Sequence, residues 1–100
     1  MQGHQYRITV APLGADGLPH GEALAFDAPC HDDMLAVAAR LKTAALFDDD
    51  TTTRLAVGLK LFGEVLIEQR AHPLFAPLAG GAFADFMRGL KTAARTASND

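Results

Sequence analysis

The sequence contains only one cysteine and no long apolar run, and each of these scarcities excludes a class of protein. A single cysteine, Cys30, cannot form a disulfide within the chain or supply a multi-cysteine zinc site. No segment approaches the roughly 20 apolar residues of a membrane-spanning helix, and the N-terminal residues lack the apolar core of a signal peptide. We therefore expect a cytoplasmic protein that has no membrane partner.

The sequence also lacks a large excess of either positive or negative charge. The 100 residues include 9 basic and 12 acidic side chains, which gives a net charge of −3. Nucleic-acid affinity comes largely from clustered Lys and Arg, so this balance disfavours a nucleic-acid partner. Because 49% of the residues are hydrophobic, the chain is expected to fold. We predict a single domain over residues 1–95 and a frayed tail over residues 96–100.

The N-terminal third alternates between apolar and polar residues, which predicts two antiparallel strands. The first covers residues 4–12 and the second covers residues 22–28, ending at Pro29. A turn rich in glycine and proline joins them over residues 13–21. One face of this hairpin is apolar and consists of Tyr6, Ile8, Val10, Leu24 and Phe26.

Three segments with helical periodicity follow the hairpin. Asp32 or Asp33 is placed to cap the first helix, which runs to about residue 46. The second extends from about residue 48 to 70 and is the most apolar, so we predict that it is the central helix. The third covers residues 82–95 and follows a Gly80-Gly81 turn, after a proline-containing connector at residues 71–78.

These elements predict an α+β domain in the order β-β-α-α-α, with the helices packed on one face of the hairpin. Two glycines lie inside the second helix, Gly58 and Gly63, and each costs about 1 kcal/mol relative to alanine, which is tolerable if a neighbouring backbone packs closely there. The predicted core consists of Tyr6, Ile8, Val10, Leu24, Phe26, Val37, Leu41, Leu55, Leu59, Phe62, Leu66, Phe83, Phe86 and Leu90.

Several segments of the chain together resemble a known family. They are YRITV at residues 6–10, HDD at 31–33, LFD at 46–48, AVGLKLFGEV at 56–65 and PLFAPL at 73–78. This pattern resembles a family of small bacterial proteins classed as a domain of unknown function, and the similarity extends from about Tyr6 to Lys91. The resemblance implies a bacterial, free-standing protein and brings no activity, cofactor or catalytic residue with it.

The densest group of reactive side chains is Cys30, His31, Asp32 and Asp33. A thiolate near a helix N-terminus is often activated, and a neighbouring histidine can act as a base or a metal ligand. The simpler interpretation is that Cys30 packs as a small hydrophobe while an aspartate caps the helix. Adjacent carboxylates also raise the pKa of a thiol, which favours the simpler interpretation.

Other charged groups are weaker candidates. Arg88, Lys91 and Arg95 form a basic face that can attract an anionic partner or simply face solvent. The histidines lack the spacing of a metal site, and the acidic run at residues 48–50 lacks the pattern of a calcium loop and suits a helix N-terminus. We assign no catalytic, cofactor-binding or metal-ligating residue. The histidines considered are His4, His20, His31 and His72.

Two hypotheses for the function follow. The first is a non-catalytic binding module that forms a homo-oligomer, with a dimer favoured, through the hairpin edge or the second helix. The second is a small thiol- or metal-dependent enzyme centred on Cys30 and His31.

Overall fold

The computed structural model describes residues 3–78 and 81–98. Within these residues a two-stranded antiparallel hairpin is followed by three α-helices, which confirms the predicted fold class and element order. The elements are β1 (His4–Val10), β2 (Leu24–Cys30), α1 (Met34–Ala44), α2 (Asp49–Glu68), a 3-10 helix (Pro73–Leu78) and α3 (Gly81–Ser98).

Some boundaries differ from those predicted. Pro29 does not end the second strand but pairs with Gln5 inside it, which is possible because each strand of a two-stranded sheet is an edge strand. Helix α3 runs to Ser98 and so includes part of the predicted tail, while Gly80 and residues 99–100 lie outside the described residues. None of the described helices is long and apolar enough to cross a membrane.

The register of the hairpin separates an apolar face from a polar one. On the polar face Arg7 lies opposite Asp27 and forms an ion pair with it. Residues directly opposite each other in an antiparallel sheet share a face. The predicted apolar face is therefore correct, and it consists of His4, Tyr6, Ile8 and Val10 paired with Cys30, Ala28, Phe26 and Leu24.

The helices cover only one end of that face. Ala28 and Cys30 are buried, whereas the side chains of Val10, Leu24 and Phe26 are 56%, 64% and 40% exposed. We call these three residues the open hairpin face. Their predicted place in the core is wrong, because the strands extend beyond the helices. The radius of gyration of 15.7 Å exceeds the roughly 13 Å expected for a compact 100-residue domain.

Helix α1, not α2, is the central helix. It packs against both α2 and α3, and the buried core consists of Ala38 and Leu41 from α1 with Ala56 from α2. Alanines at this contact let the helix backbones approach closely. The large side chains on α2 lie beside the contact, and its Phe62 meets Phe83 of α3 edge-on at 6.1 Å between ring centroids.

Most of the other predicted core residues are therefore only partly covered. Phe62 and Phe86 are exposed, which contradicts their prediction as core residues. Leu41 is buried as predicted. The half-buried members are Tyr6, Ile8, Val37, Leu55, Leu59, Leu66, Phe83 and Leu90.

Short-range hydrogen bonds fix where α1 and α2 begin. The carboxylate of Asp33 accepts from the backbone N–H of Ala36 at 3.1 Å, and Asp48 accepts from the N–H of Thr51 at 2.7 Å. The bonds from Thr51 lower the pKa of Asp48. The hydroxyl of Tyr6 accepts from the N–H of Met34 at 2.8 Å, so β1 is tied to the first turn of α1. The predicted aspartate caps are confirmed.

The interior glycines of α2 do not mark a close approach. A Cβ added at Gly58 or Gly63 meets no heavy atom of a neighbouring segment within 4 Å. The close packing that would compensate for the cost of these glycines is therefore not found at either position. Because α1 contacts α2 through Ala56, the glycines lie away from that contact.

The substitution Gly58→Ala is expected to raise the free energy of unfolding by about 1 kcal/mol, since alanine loses less backbone entropy in a helix and has room here. Urea unfolding measures the change. Gly17→Ala is the matched control and is expected to destabilise by about 1 kcal/mol, because Gly17 has a φ of +80°. A loss of stability in Gly58→Ala would contradict the open surroundings of this residue.

Candidate functional site

A cleft of about 770 Å³ lies between α1, α2 and α3. The cleft exists because α1 packs between α2 and α3. The two outer helices contact each other where Phe62 of α2 meets Phe83 of α3. The volume of the cleft falls in the range of small-molecule sites, roughly 300–1,000 Å³. The apolar side chains that line it are Val37, Leu41, Leu59, Ile67, Met87 and Leu90.

The cleft brings together residues from both groups singled out in the sequence. His31, Asp32 and Asp33 line it from the segment between β2 and α1, and Lys91 and Arg95 line it from α3. Two members of those groups are not part of this lining. Cys30 lies inside the fold, and Arg88 forms an ion pair with Asp85 one turn earlier on α3.

Sequence reasoning did not single out two polar residues at the cleft, Arg40 and Glu64, and Glu64 is the buried one. Its Oε1 accepts a hydrogen bond from the backbone N–H of His31 at 2.7 Å and lies 2.9 Å from Nδ1 of the same residue. The glutamate is buried while the imidazole is half-exposed. The backbone N–H of His31 is the main cause that lowers the pKa of Glu64, with a smaller contribution from the imidazole.

A second ion pair lies one helical turn before Glu64. Nζ of Lys60 is 2.6 Å from Oδ2 of Asp32. The hydrogen bond and the charge of Lys60 lower the pKa of Asp32, and the charges of His31 and Lys91 add smaller contributions in the same direction. Lys60 and Glu64 therefore bind consecutive residues of the segment between β2 and α1.

Three cationic side chains of the cleft remain without a carboxylate partner in the described part of the chain. They are Arg40 on α1 and Lys91 and Arg95 on α3. The three carboxylates of the lining are all engaged, because Asp32 pairs with Lys60, Asp33 caps α1 and Glu64 binds His31. The cleft therefore carries a local excess of positive charge, although the whole chain is acidic.

Cys30 has a structural position. It is 0% exposed at the end of β2, opposite His4. A thiol buried in this way packs as a small apolar side chain and is not accessible to a substrate in this conformation. The residues of the sequence cluster thus diverge, with the thiol inside the fold and the His31 imidazole at the cleft.

The histidines occupy separate surroundings. The ring of His4 stacks on Tyr6 at 6.2 Å, and Nδ1 of His72 accepts the backbone N–H of Leu74 at 3.0 Å. His20 is exposed in the loop between the strands, and its backbone N–H donates to the carbonyl of Pro12. Among the residues that the structure describes, no three His, Cys, Asp or Glu side chains form a group suited to a metal ion.

Comparisons with known proteins identify the family. The family model of a domain of unknown function with a solved structure, DUF3861, matches residues 4–92. This chain belongs to that family. A similar crystal structure is that of a protein of unknown function from Pectobacterium atrosepticum, which is 34% identical, with a TM-score of 0.78 over 91% of this chain and 99% of that one. A comparison with curated proteins gives no match.

The membership of this DUF3861 chain confirms the family resemblance seen in the sequence but supplies no activity. The chemistry therefore rests on the cleft. Its described lining has cations, carboxylates and an imidazole, but no hydroxyl or thiol side chain that could act as a nucleophile.

Glu64→Gln is expected to lower the free energy of unfolding at pH 7 by about 1 kcal/mol, because a charged acceptor is replaced by a neutral one. The pKa of Glu64 is lowered from 4.5, so its stabilisation is present above pH 4.5 and is lost as the pH falls through the lower folded pKa. The difference between wild type and variant should shrink over that acidic range in urea unfolding. Glu68→Gln, one turn later and exposed, is the control and should show no such gap.

Cys30 is expected to react with iodoacetamide far more slowly in the native protein than free cysteine does at the same pH, because the thiol is 0% exposed. Mass spectrometry of timed samples measures the modified fraction. The same protein in concentrated urea is the control and should be modified at the rate of free cysteine. Native modification at or above that rate would show that the thiol is accessible and activated.

Proposed function

We propose that this chain is a non-catalytic binding module that acts as a homodimer, with the open hairpin face of each copy at the interface. The single observation that carries the proposal is the exposure of Val10, Leu24 and Phe26 on one face of the hairpin. Burying each such side chain fully contributes roughly 2 kcal/mol of stability. Because all three remain substantially exposed in a single copy, much of this stabilisation is available only on association.

The pattern on the two faces favours a sheet that is covered on one side. Apolar residues continue along one face to its end at Val10 and Leu24, while the ion pair between Arg7 and Asp27 occupies the other. Such alternation is typical of antiparallel sheets that have one buried face and one solvated face. The exposed Leu13 and Leu18 extend the apolar surface into the loop that joins the strands.

A second copy is the partner that fits this face most simply. A two-fold dimer brings the same patch of both subunits together, so an apolar face that is complementary to itself needs no other protein. Each strand also has one unpaired edge in the described hairpin, which a second copy can protect.

The surface of α2 is a weaker interface. Its exposed aromatic ring, Phe62, already contacts Phe75 and Phe83, and Ile67 lines the cleft. The exposed Val65 then remains as an isolated apolar side chain on that helix. Of the two interfaces considered from the sequence, the hairpin therefore has more support.

The alternative of a thiol- or metal-dependent enzyme centred on Cys30 and His31 has less support. The thiol is buried, and Nδ1 of His31 lies against the carboxylate of Glu64. A catalytic role would require the cysteine to become accessible.

Light scattering coupled to gel filtration tests the dimer. At about 100 μM the wild type is expected to show twice the chain mass of 10.6 kDa, because an interface of standard size is largely associated at this concentration. Phe26→Asp and Leu24→Asp are expected to shift the mass to that of the monomer. Ala25→Asp lies between them on the opposite face and should remain a dimer.

Circular dichroism of each variant shows whether the fold is retained. A monomeric wild type at about 100 μM would overturn the dimer. Equal dissociation of Ala25→Asp and Phe26→Asp would show that the apolar face is not the contact surface.

A further inference from the structure

We infer that the cleft between α1, α2 and α3 binds a small amphipathic anion, meaning an apolar body that carries a carboxylate or phosphate group. This ligand site is separate from the open hairpin face and does not rest on the proposed dimer. The inference combines three observations: the shape of the cleft, its apolar lining and the placement of its cations.

The apolar part of the cleft is formed by side chains from all three helices. Leu41 comes from α1, Leu59 from α2 and Leu90 from α3, and each is buried or half-buried. A ligand that displaces water from these side chains gains affinity in proportion to the apolar area that it covers. This favours a ligand with a hydrocarbon body over inorganic phosphate.

The cations lie on two helices that face the same cleft. Arg40 projects from α1, and Lys91 and Arg95 are four residues apart on α3, which places them on one side of that helix. A carboxylate or phosphate accepts charge-assisted hydrogen bonds from such groups. Lys60 is already paired with Asp32 and is not needed for the ligand.

The carboxylates of the cleft offset only part of this attraction, because the lining has four cations (Arg40, Lys60, Lys91 and Arg95) against three carboxylates. Glu64 accepts from His31, Asp33 accepts from the N–H of Ala36, and Asp32 binds Lys60. Their hydrogen bonds are therefore used within the fold, while the three cations other than Lys60 lack carboxylate partners among the described residues. A cationic ligand would have to compete with the existing pairs of these carboxylates. An anionic ligand would pair with the cations that have no carboxylate partner.

The lining also argues against nucleotides and oligonucleotides as the ligand. Bases are commonly held by stacking on aromatic side chains, and the described lining of this cleft contains no Phe, Tyr or Trp. A flexible aliphatic or compact apolar body suits leucine, isoleucine and methionine side chains better.

The test is an NMR titration of the full-length, isotope-labelled protein with octanoate and with octyl phosphate. We expect saturable amide shifts for residues around the cleft with at least one of these anions, and at least about tenfold weaker binding of neutral 1-octanol. Acetate, which has the charge but no apolar body, should not saturate. Raising the salt from about 50 to 500 mM should weaken binding of the anions but not of octanol.

Charge-removing variants locate the anionic group. The double variant Lys91→Gln/Arg95→Gln is expected to weaken anion binding at least about tenfold while leaving octanol binding unchanged. Arg88→Gln is the matched control, because this arginine is on the same helix, is paired with Asp85 and lies outside the cleft. Arg40→Gln tests the contribution of α1 separately. Thermal unfolding confirms that each variant is folded.

Four results would overturn the inference. The first is the absence of saturable shifts with both anions up to about 10 mM, which corresponds to a binding free energy weaker than roughly 3 kcal/mol. The second is octanol binding as tightly as the anions. The third is an equal loss of anion binding in Arg88→Gln and in the double variant. Saturable shifts confined to Val10, Leu24 and Phe26 would likewise place the ligand on the hairpin and not in the cleft.

Discussion

The hydrogen bonds of Glu64 hold the segment between β2 and α1 against the C-terminal half of α2. A buried carboxylate is costly unless it is well paired, and Glu64 meets this requirement with the backbone N–H and the imidazole of His31. Lys60 binds Asp32 one turn away. These contacts set the direction in which the chain leaves the hairpin, and the rest of the architecture follows from that direction.

Because these contacts fix the segment that follows β2, α1 begins at a defined position. Its first turn is held by hydrogen bonds to Asp33 and Tyr6. Helix α1 then lies between α2 and α3, where Ala38 and Ala56 permit close packing. One consequence is the cleft, which opens where α2 and α3 diverge. The other is that the far end of the hairpin lies beyond the helices and leaves its apolar face uncovered.

The features that the sequence predicted correctly depend on nearby residues. An aspartate caps a helix through an N–H three residues later, and strand alternation depends only on successive side chains. The role of Glu64 could not be predicted this way, because its helical stripe also contains Lys60 and Glu68 and is typical of a solvated face. Only the tertiary position of His31 gives Glu64 a buried partner, while Glu68 on the same stripe stays exposed. Similarly, the high apolar content of α2 did not reveal that the small Ala56 is its buried apolar residue.

The open hairpin face and the cleft differ in the kind of partner that each one suits. The open hairpin face is an array of Val10, Leu24 and Phe26 on a sheet with unpaired edges, and this geometry suits another sheet. The cleft is concave and has cations at its rim, so a sheet face would leave Arg40 and Lys91 desolvated without a counter-charge. A small anion avoids that penalty. The two proposals are therefore independent: association through the hairpin would leave the cleft open to a ligand, and neither event would require the other surface.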